Sequence, residues 1–301
     1  LPLRRPRGGP ERRRDCARGE RPARSFPEVT QGPAPAAYAL LIGEESHLKP
    51  PEIARALAAL RHVPFQDLVG PMRRCWGLVE EGCPKAEAEA ASAALALAGL
   101  TSLAVPAALL EDLPAPRPLT EMSLDAGGIL YGEAEAARSR AAWARVRLLA
   151  AAVYQEGKAP APAAAGFTDP GKKLARTAFS LMTGIPTSLG LGGKPAERKQ
   201  EETEQMLLLD IVLEGPSERL RVDARKFDFS CLKTRMVYDV LGNFRQLIRE
   251  LAGQSAGASR NRGVRVLLEG KPLREMGYDG AKDLERESRW LLTLQTLRPI
   301  R

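Results

Sequence analysis

The chain is poor in the residues that build most metal and catalytic centres. Its 301 residues include only two histidines, His47 and His62, and four cysteines, Cys16, Cys75, Cys83 and Cys231. A multi-histidine metal site or a zinc ribbon therefore lacks ligands, and no two cysteines form a Cys-x-x-Cys pair. Free thiols in a reducing cytoplasm are the simplest account of them. Aromatic residues are scarce too, at 5%, which leaves few rings for the interleaved aromatic and basic surface of a nucleic-acid reader. Apolar runs of bilayer quality are missing. The longest uncharged stretch, Ala90 to Leu110, is interrupted by Gly99 and Pro106 and carries Thr101 and Ser102, so it reads as helix end, turn and strand. No integral membrane segment is expected. No apolar stretch of a signal peptide follows Arg4 and Arg5, so a cytoplasmic location is expected.

Apolar residues at 44% and charged residues at 27% fit a globular chain and exclude wholesale disorder. The formal net charge of +8 is unevenly spread: residues 1–36 set nine arginines against four acids, a net of +5, which leaves +3 for the rest. That leading segment has little apolar periodicity and cannot offset the entropy of ordering, so it reads as a disordered Arg/Pro-rich tail. Arg4, Arg5, Arg7, Arg12, Arg13 and Arg14 are its candidates for binding nucleic acid or an anionic surface. The plain alternatives are a solvated extension or sequence upstream of the true start, since the first methionine is Met72.

Residues 37–106 read as strand, helix, helix, strand, helix, strand. Tyr38 to Ile42 is a short apolar run ending at Gly43, and Pro50 and Pro51 open a helix on which Ile53, Leu57 and Leu60 share a face. A short helix with Phe65, Leu68 and Met72 follows, then a strand Trp76 to Glu80. Lys85 to Ala98 is an Ala/Glu helix closed by Gly99, and Leu100 to Val105 is a strand. This order, with Asp67-Leu68-Val69, Val79-Glu80-Glu81-Gly82, Pro84-Lys85-Ala86-Glu87-Ala88-Glu89 and Leu97-Ala98-Gly99, resembles the C-terminal domain of the bacterial ribosomal stalk protein, whose fold the ClpS adaptor of proteolysis shares. The resemblance covers about a quarter of the chain and implies an α/β docking domain without catalytic groups. The stretch Leu60 to Phe65 lacks the family's glycine and lysine features between the first two helices, so the fold carries over and the translation-factor contacts do not.

Residues 107–117 read as a linker with Pro114 and Pro116, and 118–301 as a mostly antiparallel β domain with a loosely ordered insertion at about 158–204. Strands are expected at Leu119 to Leu124 and Gly128 to Tyr131 around a hairpin turn, at Met206 to Leu213 and Leu220 to Phe229, and at Val264 to Leu268 and Trp290 to Leu297. Residues 143–154 carry both helical and alternating patterns, and strand is favoured. Asn243 is expected to cap an amphipathic helix that Gly253 ends, and Lys282 to Ser288 to form a short helix. Strands followed by one capping helix resemble a pleckstrin-like barrel in element order. The expected class is thus α+β.

Candidate sites follow from chemistry. Gly190-Leu191-Gly192-Gly193-Lys194-Pro195 lacks the Ser or Thr of a phosphate loop and reads as an ordinary loop. Ser46 and His47 beside Glu44 read as a solvated turn, and Cys75 beside Arg73 and Arg74 as a packed residue, with a lowered thiol pKa as the alternative. Candidate interaction residues are Phe65, Arg73, Arg74, Phe227, Phe229, Arg289 and Trp290, because Trp and Arg concentrate binding energy at interfaces; for Phe227, Phe229 and the Arg289-Trp290 pair, core anchoring with salt-bridged neighbours is the favoured reading. No catalytic, cofactor or metal residue stands out. The expected function is an interaction or adaptor protein with a protein partner. The alternatives are a nucleic-acid or anionic-surface binder using the tail, and an enzyme gathering Asp228, Cys231 and Arg289 into a hidden site.

Overall fold

The computed structural model describes residues 37–132, 138–157, 203–215 and 217–297. The arginine tail, almost all of the insertion and the Gly190 to Pro195 loop lie outside the described residues.

The first six elements follow the expected order: β1 (Tyr38–Ile42), α1 (Pro50–Arg61), α2 (Phe65–Arg73), β2 (Leu78–Cys83), α3 (Lys85–Leu97) and β3 (Ser102–Pro106). The two prolines occupy the first turn of α1, where no intrahelical donor is needed, and His62 ends it in the left-handed region at φ 54°. The strands form an antiparallel sheet in the order β2-β1-β3. Central β1 is buried on both faces, which is why it reads as an unbroken apolar run. Trp76, expected in the second strand, instead lies before it at φ 48° in a turn with Gly77.

The remaining strands are β4 (Pro116–Leu119), β5 (Met122–Asp125), β6 (Gly128–Tyr131), β7 (Ser139–Ala142), β8 (Val146–Gly157), β9 (Thr203–Leu213), β10 (Glu218–Asp223) and β11 (Ser259–Arg260). They form a five-stranded sheet, β11-β8-β9-β10-β4, and a three-stranded one, β5-β6-β7. Pairing is antiparallel except for β10 with β4 and β11 with β8. Helices α4 (Val240–Gln254), α5 (Arg262–Leu268) and α6 (Ala281–Leu297) complete an α+β architecture. The ambiguous stretch is a strand from Val146 onward, after a 3-10 turn at Trp143–Arg145, and Leu148 to Ala152 are wholly buried.

Four further expectations are corrected. Val264 to Leu268 is helix, because Asn261 caps its amides: the Asn261 Oδ1 accepts from Val264 N–H at 2.9 Å. Trp290 to Leu297 is the second half of the 17-residue α6, buried on most sides, so its amphipathic period is masked. β10 stops at Asp223, and the chain turns away before Phe227. Finally, α4 is capped by Asp239, not Asn243, and ends at Gln254.

Residues from β1 through α6 share one apolar core. Trp290 is fully buried and donates its Nε1–H to Ile42 O at 2.7 Å. Arg286 reaches Cys75 O at 2.9 Å and Leu78 O at 2.6 Å, Trp76 stacks on Tyr278 with centroids 4.6 Å apart, and Glu111 N–H donates to Thr293 Oγ1 at 3.0 Å.

Two polar knots bound this core, one of them partly open to solvent at Glu285. Asp210 on β9 receives Arg219 at 2.7 Å and Arg221 at 2.7 Å from β10, and Glu285 of α6 joins them. A register that sets Arg221 opposite Asp210 puts the charges on the same face. The second knot joins Asn261, Tyr278 and Glu287 beneath β8.

Candidate interaction surface

Between β10 and α4 the chain leaves the core, makes a 3-10 stem and emerges as a tip at residues 236–240. The stem is anchored by Phe227, Phe229, Cys231 and Leu232, all buried, and the two phenylalanines meet edge to face at 5.1 Å. Asp228 caps it, accepting from Ser230 N–H and from Ser230 Oγ–H, each at 2.9 Å, while Asp228 N–H donates to Thr120 O at 2.7 Å. Lys233 turns the chain outward at φ 52° and ψ −122°, a conformation costly for a residue with a Cβ.

The tip is apolar and exposed. Met236, Val237 and Val240 keep 55%, 50% and 44% of their surface in water, and Tyr238 is fully exposed. It is also fixed in place. Asn243, buried in the first turns of α4, grips the Val237 backbone from both sides: its Oδ1 accepts from Val237 N–H at 2.7 Å and its Nδ2–H donates to Val237 O at 2.8 Å. Asp239 Oδ2 accepts from Gly242 N–H at 2.6 Å, and Arg235 pairs with Glu250. A Cβ at position 242 would stand 2.7 Å from Val237 Cγ2, so any larger residue there makes the Val237 side chain shift. Such a tip presents apolar and aromatic surface without losing loop entropy on contact.

The expected interaction residues are dispersed. Phe227, Phe229 and Trp290 are core anchors. Arg289 is an internal clamp, with its guanidinium on Glu111 O at 3.4 Å and on Glu81 at 3.0 Å. Phe65 lies under the Arg55 guanidinium at 5.7 Å, Arg74 pairs with Asp279 at 3.2 Å, and Arg73 is exposed. Only Arg73 and Arg74 of the seven remain on the open surface.

Catalytic groupings do not assemble from the expected residues. Asp228 is spent on Ser230 and Arg289 on Glu111 and Glu81, while burial, with the Asp228 charge adding to it, pushes the Cys231 thiol up to about 11. Burial also raises the Cys75 thiol, outweighing the cation of Arg286, so Cys75 is the packed residue the sequence favours and the lowered-pKa alternative is not met. His47 Nδ1 accepts from Thr101 N–H at 3.0 Å, and Ser46 Oγ–H is directed at Glu44 at 3.4 Å, so no Ser–His pair exists there. Among the described residues, no group of three His, Cys, Asp or Glu is placed to hold a metal, and no helix is long and apolar enough to cross a membrane. A cleft of about 770 Å³ lies between Trp143, Arg147, Glu214, Ser255 and Gln295. Arg147 within it is occupied by Glu111 and Thr296.

The chain matches no family model, no curated protein and no solved structure. Its functional reading therefore rests on its own geometry. The decisive feature, the 236–240 tip, had a faint signal in the sequence: Met-Val-Tyr-Asp-Val places three apolar residues directly before a capping Asp and one after it, followed by Gly242 and Asn243.

Proposed function

We propose that this chain is a non-catalytic cytoplasmic adaptor, a bacterial one on its resemblances, that docks a protein partner through the 236–240 tip. The observation that carries the reading is a fully exposed Tyr238 on a backbone held by Asn243 and Asp239. Tyr and Met are enriched at interface cores, and pre-organisation saves the cost of ordering a loop on binding. The partner offers an apolar pocket with an acceptor at its base for the phenol. The α/β part at 37–106, read as a stalk-protein or ClpS-like docking domain, supports the same class of function.

A photo-crosslinking residue at position 238, compared with one at exposed Ala98, tests this in the producing cells. The expected result is one discrete protein joined at 238 only. Wild-type chain should compete for it, and Tyr238→Ala should compete about thirtyfold less well, the loss typical of a hot-spot tyrosine. Equal labelling at both positions, or recovery of nucleic acid or lipid alone, refutes the reading; the latter outcome would favour the anionic-surface alternative.

A further inference from the structure

β3 is an open edge. It pairs with β1 on one side, and among the described residues no strand pairs with the other. Every other edge strand carries a charge or proline, which discourages edge pairing: Glu80 and Glu81 on β2, Arg117 between Pro116 and Pro118 on β4, Asp125 on β5, Arg140 on β7 and Arg260 on β11. β3, Ser102-Leu103-Ala104-Val105-Pro106, has no charge, and its proline stands at its end.

Its hydrogen-bonding groups can be assigned. Gly43 N–H donates to Thr101 O and Ala107 N–H to Ala37 O, each at 2.8 Å, and the register between them is unbroken, with Leu41 opposite Leu103 and Ala39 opposite Val105. Alternation in an antiparallel pair then commits the backbone of Leu103 and Val105 to β1 and turns that of Ser102, Ala104 and Pro106 outward. Two such edges, run antiparallel about Ala104, complement each other. Ala104 of each copy exchanges both backbone bonds with its counterpart, and Ser102 N–H of each donates to Pro106 O of the other. Pro106 has no N–H to return, and the Ser102 carbonyl it would have met faces the Ser92 hydroxyl at 3.5 Å. Leu103, 37% exposed, comes to lie against Val105 of the second copy. Above the sheet, α3 packs on β3 and shows small exposed residues, Ala93 and Ala96, and then Leu97, 92% exposed.

We propose that two copies of this chain pair through β3, joining their three-stranded sheets into one of six strands. A second copy is suited to this edge in particular: the N–H that Pro106 lacks falls on a Ser102 carbonyl already faced by the Ser92 hydroxyl, and neither edge brings a charge to the seam. The surface is separate from the 236–240 tip, so this proposal stands independently of the docking reading.

Sedimentation velocity on the full chain from about 1 μM to about 100 μM, the range in which modest homodimers form, should show reversible dimerisation. Ala104→Pro removes only an outward N–H, and Leu103→Lys puts a charge on the edge. Each should raise the dissociation constant at least about tenfold, with thermal melts by circular dichroism confirming that the monomers remain folded. In a Cys16→Ser background, Ala104→Cys should form a disulfide between copies under mild oxidation, and Ala98→Cys should not, because directly opposed strand residues have the Cα spacing a disulfide needs. A monomer throughout that range, or a dimer indifferent to both edge substitutions, overturns the proposal.

Discussion

Asn261 is the residue whose removal should damage this fold most per atom deleted. It is fully buried and serves three backbone groups at once. Its Oδ1 accepts from Ala151 N–H at 3.0 Å and from Val264 N–H at 2.9 Å, and its Nδ2–H donates to Ala151 O at 2.9 Å and to Tyr278 OH at 2.8 Å. Strand β11 pairs with β8 only at Leu148 and Leu149, so the Asn261 side chain takes over as the strand partner of Ala151 where β11 ends, and it caps α5 with the same oxygen. In Asn261→Ala, three buried backbone groups lose their partners, each at about 1–3 kcal/mol, of which the lost cap is about 1 kcal/mol. Partial relaxation and water entry reduce the sum, and the expected loss is about 3–5 kcal/mol. Urea denaturation followed by tryptophan fluorescence measures it, since Trp76 stacks on Tyr278 within the same assembly. Asn261→Asp sharpens the test. It keeps the shape and the Oδ1 contacts but sets an acceptor against Ala151 O and Glu287, so it should be about as damaging at neutral pH and recover on acidification. A loss below about 1 kcal/mol for the alanine variant would show that these bonds are replaceable and that the reasoning fails.

Two further predictions concern the same interior. Burial raises the Glu287 carboxyl above its ordinary value of 4.5, outweighing the bonds from Tyr278, the Arg262 backbone and Asn261. A carboxyl raised on folding binds protons more tightly in the native state, so its stabilising contribution is full below 4.5 and is lost as pH rises through the folded value. Glu287→Gln should therefore flatten the fall in stability over that window, as read from urea midpoints at a series of pH values; an unchanged slope would assign the pH dependence elsewhere. Gly77 stands at φ +88°, and a Cβ there would come within 2.1 Å of the Trp290 ring. Gly77→Ala should cost about 2–5 kcal/mol and shift tryptophan emission, and a variant as stable as the parent would mean that the α6 contact with the 76–77 turn is dispensable.

The parts of the fold that were legible in the sequence are those set by local chemistry. Pro50 and Pro51 start a helix, and Gly99, at φ 75°, follows α3 as a residue free to turn, wherever they are packed. The stretches that misled are those whose conformation is decided by burial. α6 confines its charged residues to its first half, up to Arg289, and Trp290 to Leu294 are all buried, so the second half shows no polar stripe of 3.6-residue period and reads as a strand. α5 is seven residues long and rich in valine, and its sole local sign is the asparagine ahead of it. Arg219 and Arg221 lie on one face of β10, as alternation requires, but that face is sealed by Asp210 and Glu285. Their fate depended on a cross-strand partner nine to eleven residues away, which only the register supplies.

The candidate site was hidden for the converse reason. Met236, Val237, Tyr238 and Val240 have the composition of a core strand or helix entry yet are exposed, whereas Phe227, Phe229 and Trp290, which sit beside charge as recognition residues do, are the core anchors the sequence favours. Composition assigns neither group, because burying any of them is favourable by about 1.5–3 kcal/mol each. What distinguishes them is polar. Asn243 spends both ends of its amide on the Val237 backbone, Asp239 caps the helix immediately after Tyr238, and Lys233 accepts an unfavourable backbone angle. Each of these holds the tip away from the apolar surface that would otherwise cover it. An apolar loop left loose would collapse onto the protein, whereas this one is braced outward by a buried asparagine. Bracing of that kind stabilises the free protein less than collapse would, and under the proposed docking function a partner that covers Tyr238 recovers the deficit.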